Sequence, residues 1–250
     1  MNFGEICGML YVVIHMSRCE WGLSMSKMEL IVMLTHNDYT VADAIEVFEA
    51  CKHTPVHYWG AKEQGLPPHE LKRLFAAIKE NGKSAVLEVV AYSEDACLNG
   101  AKMAVECGCD MLLGTNYYDS VNELCRANGI RYMPFVGHVS SRPSILEGAA
   151  EDMIAEAKRY TSNGAYGVDL LGYRYLGNSR ALCQAFVSSC DLPVCLAGSI
   201  DSKARLDEVL ALRPAYFTIG GAFFDHCFGR DIGEQIAFVC DYINEKRKDL

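Results

Sequence analysis

Three charged residues stand in or just beyond otherwise apolar runs. Lys62 follows Val56-His57-Tyr58-Trp59-Gly60-Ala61, Glu88 sits within Leu87-Glu88-Val89-Val90, and Asp169 lies within Val168-Asp169-Leu170. A lysine between two carboxylates can do two kinds of chemistry. As a neutral amine it attacks a carbonyl and forms a Schiff base. As an ammonium it protonates an enediolate while Glu88 or Asp169 moves the proton. The same trio could equally be a structural ion-pair network. Burial and competing charge set the lysine pKa, and both catalytic routes stay open at this level.

A second polar group, His36-Asn37-Asp38, follows an early apolar run. Asp38 could act as a general base or bind substrate hydroxyls, and Asn37 could donate a hydrogen bond to substrate; the alternative is a solvated turn. His138 is a candidate acid/base on a longer loop, where a lone histidine is otherwise simply solvated. Arg142 on the same loop could clamp a second phosphate or a carboxylate, against ordinary surface solvation. Thr115 at the end of one apolar run, and Tyr173 with Arg174 after another, are candidate substrate contacts. Tyr173-Arg174-Tyr175 could instead only pack against neighbouring helices. His36, Asp38, Glu88, His138 and Asp169 would allow a divalent cation, but no helical H-x-x-x-H pattern specifies one, and no cofactor is expected. No cysteine stands at the end of an apolar run beside a base, so a thiol nucleophile is not expected.

The chemistry also needs an anchor. Residues 193–197 and 215–219 are short apolar runs that stop at Gly198-Ser199 and Gly220-Gly221. Two glycine-bearing turns side by side present backbone N–H groups with no side chain to block an anion. This predicts a phosphate site built from Gly198, Ser199, Gly220 and Gly221.

The elements that must position these groups recur along the chain. Apolar runs at 30–34, 56–59, 85–91, 111–113, 132–136, 168–171, 193–197 and 215–219 read as strands, each followed by a helical pattern. Thr40 with Asp43 has capping-box spacing for the first helix, and Asp201-Ser202 can cap a later one. Asn-Gly recurs at 81, 128 and 163, each time after a helix and before a strand, which is left-handed C-cap chemistry repeated once per unit. The pattern predicts an α/β protein, a single (β/α)8 TIM barrel over residues 28–250 with a short N-terminal extension over 1–27. The glycine turns after strands seven and eight favour the barrel over an open doubly wound sheet, and no G-x-G-x-x-G follows strand one. Residues 6–16 are apolar but too short to span a membrane, and the extension is expected to contribute little to function.

Composition narrows the class. The chain has 250 residues, 50% hydrophobic and 22% charged, with a net charge of −9. That balance argues against nucleic acid or an anionic membrane as partner, while leaving a local phosphate site and homo-oligomerisation open. The 12 cysteines are scattered through apolar patterns with no C-x-x-C, which predicts reduced thiols and a cytoplasmic location.

Ala197-Gly198-Ser199-Ile200 together with Thr218-Ile219-Gly220-Gly221-Ala222-Phe223 resembles the phosphate-binding half of the ribulose-phosphate-binding barrel superfamily. The resemblance implies a phosphorylated small-molecule ligand and says little about the reaction. The motifs of particular branches are missing. Leu87-Glu88-Val89-Val90-Ala91 stands where the decarboxylase branch carries Asp-x-Lys-x-x-Asp, and Val168-Asp169-Leu170-Leu171 where the phosphogluconate-type aldolases carry a Schiff-base lysine. The sequence reading is therefore an enzyme acting on a small phosphorylated sugar or keto acid. An aldolase-type carbon–carbon lyase through Lys62 comes first, a sugar-phosphate isomerase or epimerase second, and a non-catalytic metabolite sensor third.

Overall fold

Successive β-α units place their strands side by side, because each apolar strand must be buried on both faces. The computed structural model describes residues 28–248, and the expected extension lies outside these residues. The barrel strands are Glu29–Met33, Tyr58–Lys62, Ser84–Val89, Met111–Gly114, Arg131–Met133, Val168–Leu170, Val194–Leu196 and Tyr216–Ile219. All of their pairings are parallel, and they run in the order sixth, seventh, eighth, first, second, third, fourth, fifth. A bridge between Phe135 and Asp169 joins the fifth strand to the sixth, and the Asp169 N–H donates to the Pro134 carbonyl at 2.8 Å. The sheet thus closes into a (β/α)8 barrel.

Helices Ala44–Cys51, Pro68–Glu80, Glu94–Glu106, Asp119–Ala127, Ala150–Ser162, Ser179–Ser189, Lys203–Leu212 and Ile232–Lys248 surround the barrel. None of the described helices is long and apolar enough to cross a membrane. The Asn-Gly signals end their helices as the sequence predicts, with Gly82, Gly129 and Gly164 at φ of 70°, 68° and 101°. Ser202 accepts from the Arg205 N–H at 3.3 Å and so caps its helix.

Two local expectations are corrected. Thr40 does not cap the first helix. It belongs to a small hairpin, Thr35–His36 against Tyr39–Thr40, and its hydroxyl donates to the Lys62 carbonyl and accepts from the Lys62 N–H, at 2.9 and 2.8 Å. The tertiary partner wins because the backbone of Lys62 is buried and has no other use for those groups. The long loop after strand five is also a hairpin, His138–Ser140 against Ile145–Glu147, whose strands are too short to announce themselves in the sequence.

The barrel interior is layered. Ile31, Met33, Val86, Met111, Leu113, Met133 and Cys195 fill its middle with apolar side chains. Below them, at the N-terminal ends of the strands, Arg131 donates to the phenol oxygens of Tyr58 and Tyr216 at 3.2 and 3.1 Å, and Tyr166 and Tyr216 share a hydrogen bond at 3.0 Å. This plug closes the barrel at the end opposite Lys62 and Glu88, so it is a structural feature. Arg131→Met is expected to lower the free energy of unfolding by about 1–3 kcal/mol, read by urea denaturation; an unchanged midpoint would remove the plug from the stability account.

Candidate functional site

The register of the second and third strands sets the centre. Lys62 pairs directly with Glu88, which puts both side chains on the inward face above the apolar middle layer. The hairpin after strand one supplies the third member. Asn37 and Asp38 form its tight turn with φ of 48° and 71°, a conformation that Asn and Asp tolerate better than most residues. That turn drives Asp38 down into the barrel mouth.

There the Lys62 ammonium forms an ion pair with Asp38 Oδ1 and lies 3.3 Å from Glu88 Oε1. The side chains of Asp38, Lys62 and Glu88 are only 2%, 7% and 11% exposed. Burial alone would push the lysine pKa down, but the charges of Glu88 and Asp38 outweigh it and hold the amine above its ordinary value. Lys62 is therefore an ammonium at neutral pH. Asp169 behaves in the opposite way. It is buried beside Glu88, and neither of its oxygens has a hydrogen-bond partner among the described residues. Burial, then the like charge of Glu88, push its carboxyl well above the usual carboxylate range, with Lys62 offsetting part of the shift. Asp169 therefore holds its proton more tightly than an ordinary carboxyl does.

A cavity of about 320 Å³ opens over this centre. Lys62, Glu88, Asp38 and Asn37 line one side, and Gly198, Ser199, Gly220 and Gly221 line the other. Gly198 and Ser199 have φ of 87° and 46°, which folds the seventh-strand turn back over the space. A Cβ on Gly221 would meet nothing closer than 3.8 Å, whereas one on Gly220 would press on Thr35 Oγ1 at 2.6 Å. His36 also lines the cavity, with its Nε2 2.9 Å from Asp225 Oδ1 and the Asn37 side-chain amide 3.3 Å from its Nδ1.

Five of the sequence candidates lie apart from the cavity lining, Asp169 because it is buried behind it. Arg142 stands at the rim, where it donates to Glu63 Oε1 at 2.9 Å and to the Asp38 carbonyl at 3.1 Å, and so fixes the turn that carries Asp38. Thr115 is fully buried and shares a 2.7 Å hydrogen bond with the Tyr132 hydroxyl. Tyr173 is buried under the Arg205 guanidinium, 3.8 Å from its ring centroid. His138 is exposed on the second hairpin. Among the described residues no group of three or more His, Cys, Asp or Glu side chains is placed to hold a metal ion. Arg174, which the sequence reading gave only a covering role, does line the cavity.

No family model matches the chain, and no curated relative matches it. Solved structures do. A structure described as native KDPGal is 13% identical, with a TM-score of 0.66 over 89% of this chain and 98% of that one. Orotidine 5'-phosphate decarboxylase from Pyrococcus horikoshii OT3 is 12% identical, with a TM-score of 0.64 over 86% and 99%. N-acetylmannosamine-6-phosphate 2-epimerase from Clostridium perfringens is 15% identical, with a TM-score of 0.56 over 89% and 93%. At these identities the likeness is one of fold.

The raised pKa of Asp169 has a measurable consequence. A carboxyl whose folded pKa is raised stabilises the fold most below its unfolded pKa, and that contribution is lost as pH rises through the folded value. Asp169→Asn removes this penalty, so the variant is expected to melt several degrees above the parent at pH 8, with the gap closing towards pH 4. Parallel pH profiles of Tm for the two proteins would show that Asp169 ionises normally.

Proposed function

We propose that the protein is an enzyme acting on a small phosphorylated sugar or keto acid, and that it moves a proton next to a carbonyl, as in aldose–ketose isomerisation or epimerisation. The observation that carries this reading is the placement of the Lys62 amine between the Asp38 and Glu88 carboxylates. A Schiff base needs a neutral amine, and both Asp38 and Glu88 hold Lys62 as an ammonium. An ammonium is suited to the other task. It stabilises the oxyanion of an enediolate and returns a proton to it.

In this reading Glu88, at the cavity wall 3.3 Å from Lys62, takes the proton from carbon. Asp38 keeps Lys62 charged and aimed. Asp169 acts through Glu88 from beneath, and its raised pKa favours the form that spares the site a third carboxylate charge. The turns at Gly198-Ser199 and Gly220-Gly221 hold the phosphate, which supplies binding energy remote from the reacting carbon. A cavity of about 320 Å³ suits a metabolite of this size. A mere sensor would gain nothing from burying a lysine between two carboxylates, an arrangement whose desolvation is costly.

The fold alone hosts several chemistries, so the test is chemical. Incubation in D2O with a panel of phosphorylated ketoses, aldoses and keto acids is expected to show exchange of the proton next to the carbonyl, read by NMR, and to leave no borohydride-trapped adduct. Trapping on Lys62 would replace this proposal with the carbon–carbon lyase. Lys62→Met is expected to reduce exchange at least about 100-fold; full retention would exclude Lys62 from the chemistry. Gly221→Asp, at a position with room for a side chain, is expected to weaken phosphate-ester binding about tenfold or more by calorimetry. Unchanged affinity would move the phosphate elsewhere.

A further inference from the structure

The two arginines over the barrel mouth are held very differently. Arg142 is occupied, with one guanidinium nitrogen on Glu63 at 2.9 Å and the other on the Asp38 carbonyl at 3.1 Å. Arg174 follows the sixth strand on the short 3-10 turn Gly172–Arg174 and points into the cavity with its side chain 28% exposed. Its contacts are loose: a 3.4 Å hydrogen bond to the Ser144 carbonyl, and a 3.9 Å approach to Asp38 Oδ1, the oxygen already bound by Lys62. A guanidinium carries five N–H donors in a fixed fork. Among the described residues that fork makes one hydrogen bond, the long one to the Ser144 carbonyl.

Its path is set by Gly198. A Cβ there would fall 2.8 Å from Arg174 Cγ and 3.4 Å from its Cδ, so the arginine stem lies directly over the glycine. The head then reaches from the phosphate turn towards Asp38 and Lys62. A planar cation placed between an anion cup and a reaction centre fits a carboxylate attached near the reacting carbon, since carboxylates take a guanidinium in bidentate fashion.

We infer that Arg174 is the specificity-determining residue of this site and that the substrate is a phosphorylated acid, carrying a carboxylate in addition to its phosphate. The inference rests on the phosphate site proposed above and deepens it. The alternative occupant of Arg174 is the phosphate itself, and the two are separable by experiment.

Binding of matched pairs is measured by calorimetry: a neutral ketose phosphate against the 2-keto-3-deoxy sugar-acid phosphate of equal length, and inorganic phosphate alone. The parent protein is expected to prefer the acid about tenfold or more. Arg174→Gln is expected to abolish that preference while leaving the neutral phosphate ester and inorganic phosphate within about twofold of the parent. Arg174→Lys is expected to recover part of the preference, because the charge returns without the fork. Equal weakening of the acid and the neutral ester in Arg174→Gln would assign Arg174 to the phosphate and overturn the inference. So would the absence of any acid preference in the parent. Failure of the parent to bind any of the phosphates would instead remove the phosphate site on which the inference stands.

Discussion

The site depends on one buried ammonium. Lys62 sits among groups that would be costly to bury alone, and each makes the others tolerable. Asp38 and Glu88 need the positive charge, Lys62 is kept charged by two carboxylates, and burial followed by the like charge of Glu88 raises the pKa of Asp169. The structure around them serves that balance. Thr40 takes up both backbone groups of Lys62, and Arg142 ties the Asp38 turn to Glu63. These groups come from five different segments, so the charge balance links the hairpin after strand one, the second, third and sixth strands, and the hairpin after strand five.

The barrel separates stability from chemistry along its axis. At one end Arg131 and three tyrosines close the interior with hydrogen bonds, and above them a layer of Ile, Val, Leu and Met side chains excludes water. That layer forms the floor of the charged centre. It gives the carboxylates and the lysine a low-dielectric side below and an open cavity above, which strengthens their mutual interaction. A hydrophilic middle layer would weaken the pairing and with it the control of protonation.

Glycine at 198 does two jobs at once. Its φ of 87° makes the turn, and its missing side chain leaves the passage through which Arg174 runs. The Gly198 turn and the cavity arginine are thus parts of one arrangement. A change that altered the turn would also move the guanidinium. This coupling ties the end of the sixth strand to the end of the seventh, where the proposed ligand spans both.

Much of this was legible in the chain. Alternating apolar runs and amphipathic stretches, the repeated Asn-Gly stops, and the paired glycine turns sufficed for a barrel, because local backbone preference and burial act in the same direction there. The apolar runs around Glu88 and Asp169 marked two carboxylates that had to face inward. What the sequence could not decide was every question of distance between segments. Thr40 has the spacing of a helix cap, yet it serves Lys62, 22 residues on. Thr115, Tyr173 and His138 stand at or beyond strand ends as Lys62 does, yet they are turned away from the cavity lining by partners or exposure that no local pattern encodes. Arg142 and Arg174 look alike as loop arginines, and only their tertiary partners separate one that fixes a turn from one that faces the cavity. Residue type and periodicity determined the fold and the inventory of charges. The protonation of those charges was decided by tertiary structure alone, because burial and the distance to the next charge set a pKa, and both arise only once distant strands are side by side.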